Sequence, residues 1–185
     1  MRAGIVTLAM ICAVLSGCVT STPPAPAFHA MLNQPYRLDA GDRIRVTVFE
    51  QENLSGAYTV DKSGYLSLPL VGAVAARGKT PTEIQGAIAA ALRNGYLRSP
   101  DVSVQVEQYR PFFIMGEVTS GGQYSYVPGM TAQNAIAIAG GFSSRADQRT
   151  VDITRQVNGQ IITGRVLITD PIFPGDTISI RERLF

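Results

Sequence analysis

The chain has 185 residues, with 16 lysines and arginines against 14 aspartates and glutamates, one histidine, two cysteines and no tryptophan. The formal charge of +2 carries no basic block, and the lysines are only Lys62 and Lys79, so no nucleic-acid partner is expected. The single histidine, His29, lies in a proline-rich stretch. It leaves no basis for a Ser-His-Asp arrangement or a histidine metal site, and the chain is expected to be no enzyme and to need no metal or cofactor.

The N-terminus comes first. Met1-Arg2 supplies a positive charge, Gly4 to Val14 is uncharged and mostly apolar, and the small residues Ser16 and Gly17 follow. That is the pattern of a secretory signal. The apolar run of roughly 11–12 residues is too short for a spanning helix, which needs ~20. A buried N-terminal helix is the competing reading, but no polar face interrupts the run. Leu15-Ser16-Gly17-Cys18 resembles the bacterial lipobox. The resemblance implies cleavage between Gly17 and Cys18, acylation of Cys18, and a signal peptide at 1–17. Val19 stands where an inner-membrane retention aspartate would sit, so the resemblance also implies outer-membrane sorting, facing the periplasm. A Cys12–Cys18 disulfide competes with this reading, but Cys12 would leave with the signal. Residues 18–34, rich in Pro, Ala, Ser and Thr, then read as a flexible tether.

The folded part opens with "YRLDAGDRIRVTVFE". Ile44, Val46 and Val48 alternate with Arg43, Arg45 and Thr47, the period of a half-buried strand launched by an Ala40-Gly41-Asp42 turn. A strand at "AYTV", a Lys62-Ser63-Gly64 turn, a strand over Tyr65 to Leu68 and a short piece from Val71 to Val74 follow. Thr80-Pro81-Thr82-Glu83 is a capping box with proline in the first turn. Ile84, Ile88 and Leu92 line one helix face, and Asn94-Gly95 stops the helix. "DVSVQVEQY" is a strand with Val102, Val104 and Val106 inward. The order β-β-β-α-β predicts an α+β sandwich with one helix covering a sheet.

A second unit starts near Pro111. "FFIMGEV" reads as a nearly continuous apolar strand, Ser120-Gly121-Gly122 as a turn into "QYSYV", and Pro128-Gly129 as another turn. Thr131 caps a short helix, Ala132 to Ala139, ended by Gly140-Gly141. Strands at 150–155 and 161–165 flank an Asn158-Gly159 hairpin turn, and a last strand runs from Thr177 to Arg181. This is the outline of a β-grasp-like fold. Gly-Asp-x-Ile-x-[Val/Ile] occurs at 41–46 and again at 175–180, which suggests that both units launch a strand with the same turn chemistry.

These segments resemble a known family. Gly41-Asp42, the Asp61/Gly64 hairpin, Leu68-Pro69-x-x-Gly72 and the Thr80…Glu83 helix start are similar to the polysaccharide export domain. Gly116-Glu117-Val118, Gly122-x-Tyr124, Ala139-Gly140-Gly141-Phe142 and Pro174-Gly175-Asp176-Thr177-Ile178 are similar to the SLBB β-grasp module. The organisation expected is an export domain at 35–110 and an SLBB domain at 111–185. The resemblance implies a short-form outer-membrane polysaccharide export lipoprotein. Such a protein forms a homo-oligomeric ring that conducts capsular polysaccharide or exopolysaccharide to the cell surface. An inner-membrane co-polymerase of the chain-length-regulating kind is the implied partner. No stretch reaches the length of a spanning helix, so the chain is expected to form the periplasmic part of the conduit and either to dock to a separate outer-membrane barrel or to widen the path by other means.

Asp42, Asp61 and Asp176 each sit beside Gly or Ser in a turn signal, so backbone capping is their expected role rather than paired-carboxylate catalysis. Arg43, Arg45 and Thr47, with Gln105, Glu107 and Tyr109, read as polar strand faces, solvated or turned to neighbours or a channel. The alternative to a conduit is a lipid-anchored monomeric module that binds glycan or a partner protein. Ring closure through a heterologous interface separates the two.

Overall fold

The computed structural model describes residues 34–157 and 159–183. The expected signal peptide, Gly17, Cys18, His29 and nearly all of the tether lie outside the described residues, as does Asn158.

Two hydrophobic cores organise the chain. The N-terminal unit contains β1 (Arg43–Val48), a 3-10 turn (Glu52–Leu54), β2 (Gly56–Thr59), β3 (Tyr65–Leu68), β4 (Gly72–Ala75), α1 (Pro81–Arg93) and β5 (Val102–Gln108). Strict alternation in β1 buries Ile44, Val46 and Val48 and leaves Arg43, Arg45 and Thr47 in solvent. Antiparallel pairing sets Ile44 opposite Val106, Val46 opposite Val104 and Val48 opposite Val102, so both strands turn valine and isoleucine to one side. There they meet Ile84, Ile88 and Leu92 of α1. The helix begins where expected. The Glu83 backbone N–H donates to Thr80 Oγ1 (3.2 Å), and the Thr80 N–H donates to Glu83 Oε2 (2.7 Å). A cap of this kind contributes ~1 kcal/mol.

The piece at 71–74 is a full strand. β4 pairs with β3 as a separate two-stranded sheet, beside the sheet β2-β1-β5, so the unit runs β-β-β-β-α-β. The reversal at Pro69-Leu70-Val71 is tight enough to push Leu70 to φ 64° and Gly72 to φ 75°, which frees the following residues to return along β3.

The C-terminal unit contains β6 (Phe112–Gly116), β7 (Gly122–Tyr124), α2 (Ala132–Ile138), β8 (Thr150–Val157), β9 (Gln160–Leu167) and β10 (Thr177–Ile180). Its mixed sheet has the order β7-β6-β10-β8-β9, with β6 and β10 parallel at its centre and the other neighbours antiparallel. Phe112, Ile153 and Ile178 of the sheet pack on Ala132, Ala135 and Ile136 of α2. Hence the fold is α+β, with the second unit β-grasp-like.

Packing settles two features of this unit. β6 is not buried throughout: Phe112 and Ile114 point inward while Phe113 and Met115 are exposed, because α2 covers only one face of the sheet. The strand predicted at "QYSYV" ends at Tyr124, and Tyr126 instead packs edge-on against Tyr109 at 5.5 Å. Gly116 is obligatory where β6 meets β10. At φ 91°, a Cβ there would lie 2.0 Å from the Ile180 carbonyl oxygen.

Candidate functional site

The two Gly-Asp turns are built alike, and both reach Arg110. In the first, the Asp39 N–H donates to Asp42 Oδ2 (2.8 Å) and the Asp42 N–H returns a bond to the Asp39 carbonyl (3.1 Å). In the second, the Phe173 N–H donates to Asp176 Oδ2 (2.7 Å) and the Asp176 N–H donates to the Phe173 carbonyl (3.1 Å). Gly41 and Gly175 supply the positive φ, 92° and 85°, that closes each turn. The turn role expected of both aspartates is present. Asp61 acts likewise, accepting from the Tyr65 N–H at 2.9 Å.

Burial adds what the turn motif alone does not show. Asp42 and Asp176 are fully buried, and a buried carboxylate requires a cation or several donors. Asp42 accepts from the Arg110 N–H (2.8 Å) and Nη1 (3.0 Å) and from Tyr36 Oη (2.6 Å). Asp176 accepts from Arg155 Nε (2.8 Å) and Nη2 (2.7 Å), a bidentate pair. Burial pushes the Asp176 carboxyl above its usual range, and the Arg155 hydrogen bonds and charge pull against that rise. Burial also drives the Tyr36 phenol far above its usual range, so it remains a donor to Asp42. The Arg155 guanidinium lies over the Phe173 ring, 4.1 Å from its centroid.

Arg110 joins the units. It follows β5, pairs with the first turn, and passes so close to Gly175 of the second that a Cβ there would meet its Nε at 2.7 Å. Tyr109 belongs to this junction rather than to the exposed face of β5. Its ring packs edge-on against Tyr36 (4.9 Å) as well as Tyr126. Arg155 carried a sequence signal, since it follows Val151 and Ile153 on the inward face of β8. Arg110 carried none, because its partners come from distant turns.

Beside the junction lies a cleft of about 940 Å³, walled by Tyr36, Arg37, Arg77, Arg110, Arg155 and Phe173. Arg37 donates to the Gly78 carbonyl (2.7 Å) and Arg77 Nε to Asp39 Oδ1 (2.8 Å). Burial tends to raise the Asp39 carboxyl, yet the Ala40 N–H and Arg77 hold it below its usual range.

Comparison with known proteins now identifies the two units. The polysaccharide biosynthesis/export protein family model matches residues 30–107, and the SLBB domain model matches residues 111–165. The chain joins a polysaccharide export domain to an SLBB domain. It is 40% identical over 124 residues to the exopolysaccharide production protein ExoF of Rhizobium meliloti (strain 1021), covering 60% of this chain and 29% of the relative. It is 27% identical over 149 residues to the polysialic acid transport protein KpsD of Escherichia coli, covering 69% of this chain and 27% of the relative. The chain therefore spans less than a third of the length of these relatives.

On the export domain, Arg43 Nε donates to Glu107 Oε2 (3.0 Å), and Arg45 also pairs with Glu107. The Arg45 and Arg43 hydrogen bonds hold the Glu107 carboxyl below its usual range. Thr47 and Gln105 share this exposed face. The SLBB sheet shows a comparable outer face, where Arg165 and Arg181 both donate to Asp152 (3.2 and 2.7 Å to Oδ1). Among the described residues, no His/Cys/Asp/Glu group could hold a metal ion, and no helix is long and apolar enough to cross a membrane. The latter statement does not bear on β-barrels.

Proposed function

We propose that this chain is a component of a polysaccharide export conduit, lipid-anchored through Cys18 at the outer membrane and facing the periplasm. The observation that carries the reading is the direct succession of an export domain and an SLBB domain, coupled by Arg110 and its two turns. ExoF and KpsD, named for exopolysaccharide production and polysialic acid transport, support polymer handling as the shared task. In this reading the polymer slides past polar faces that hold it weakly, as conduction through a pore requires. The chains assemble head to tail as a homo-oligomeric ring. An inner-membrane co-polymerase supplies polymer, and a separate outer-membrane barrel completes the path.

The test is a gene deletion, with polysaccharide measured outside the cell and retained within it. A fall outside, restored by the intact chain, supports the conduit. Unchanged secretion in a strain with no related gene overturns it and leaves an anchored binding module. Cross-linking of the native envelope then reads the ring, and an exclusively monomeric chain removes it.

A further inference from the structure

The interdomain cleft carries groups that the turn chemistry does not use up. Among the described residues, four of its walls are arginines and Asp39 is the one lining carboxylate. Asp42 and Asp176 stand behind Arg110 and Arg155, fully buried and committed to them. They offset the charge of these two arginines, which line the cleft. Arg37 and Arg77 are about half exposed, each with a side-chain accessibility of 51%. Each uses part of a five-donor guanidinium on protein oxygens: Arg37 on the Gly78 carbonyl and, at 3.6 Å, on the Glu83 carboxylate, and Arg77 on Asp39 and Lys62. Phe173 presents a half-buried ring stiffened by Arg155, and Gln156 also lines the cleft.

We infer that this cleft binds an acidic sugar unit, a pyranose carrying a carboxylate. Arg37 and Arg77 would take the carboxylate in charge-assisted hydrogen bonds, and the Phe173 ring would take an apolar face of the sugar. A volume of about 940 Å³ lies within the ordinary range of ligand clefts and leaves room for neighbouring units of a chain. Two domains form the walls, so the site exists only while the Arg110 junction holds. The inference rests on the export reading for its ligand class and adds a charge preference to it.

The experiment titrates the purified full chain with oligogalacturonate, a neutral maltooligosaccharide of equal length, and inorganic phosphate, following side-chain and backbone NMR shifts. Oligogalacturonate is expected to bind saturably and to shift Arg37, Arg77 and Phe173. R37Q/R77Q is expected to weaken it by about tenfold or more, from the loss of charge-assisted hydrogen bonds. R165Q removes one charge from the outer sheet face and is expected to leave binding unchanged. R37Q alone, which touches neither Gly-Asp turn, is the variant to use if the double variant melts early. Equal binding of the neutral oligosaccharide, equal weakening by R165Q, phosphate binding as tightly as oligogalacturonate, or no saturable binding each overturns the inference. None of these outcomes depends on secretion: a deletion strain that secretes normally overturns the export reading and leaves the titration standing, and the reverse also holds.

Discussion

Gly175 and Arg110 approach so closely that a side chain on the first would occupy the space of the second, with a Cβ 2.7 Å from Arg110 Nε. Arg110 also holds the fully buried Asp42, so one guanidinium senses the Gly-Asp turns of both domains. Gly175→Ala should therefore strain φ 85° and displace Arg110 together. A loss of about 1–3 kcal/mol is expected in denaturant unfolding. Gly78→Ala is the control: it shares a positive φ of 73° but has nothing within 4 Å of its Cβ. Equal losses in both would show that the Arg110 contact carries no energy.

Gly116→Ala tests the parallel seam of the SLBB sheet. Its Cβ would lie 2.0 Å from backbone that cannot rotate away, the Ile180 carbonyl oxygen. Strain and the opened β6–β10 pairing together should cost about 3 kcal/mol or more. A melting temperature within a degree or two of wild type would contradict this packing.

Arg155→Leu leaves Asp176 buried without its cation, a change expected to cost about 3–5 kcal/mol at neutral pH. The loss should depend on pH in a defined direction. Burial already raises Asp176 above 3.8, and removing Arg155 deletes the main effects that oppose the rise. A carboxyl whose folded pKa is raised destabilises the fold as pH climbs through that pKa. The variant should thus be closest to wild type near pH 4 and fall away toward pH 8, as read from denaturant midpoints. A pH-independent difference would mean that Asp176 keeps its charge without Arg155.

Cys18→Ser should move the chain from the membrane pellet to the soluble periplasmic fraction, with the folded part's melting temperature unchanged. Retention of the variant in the pellet would remove lipid attachment at Cys18 as the sole anchor.

Much of the fold was legible because it rests on local signals. The alternation in β1 and β5, the Thr80-Pro81-Thr82-Glu83 cap, and the glycine turns at 41, 64, 140 and 175 are short-range consequences of side-chain period and positive φ. The two Gly-Asp turns were visible as a repeat, and their shared hydrogen-bond pattern follows from the same few residues.

The tertiary structure alone decided which groups meet. Tyr109 reads as part of a polar strand face and Arg110 has no signal of its own, but both turn into the junction, because Asp42 needs a buried cation and Tyr36 and Tyr126 offer rings at packing distance. "FFIMG" reads as a nearly continuous apolar strand, but which of its side chains reach the core depends on the layers over the sheet, a global property, and α2 covers one face of this one. Sequence determines turns, caps and strand period because those depend on neighbours along the chain. The arginine-lined cleft depends on how two separate cores are set against each other, which no local pattern encodes.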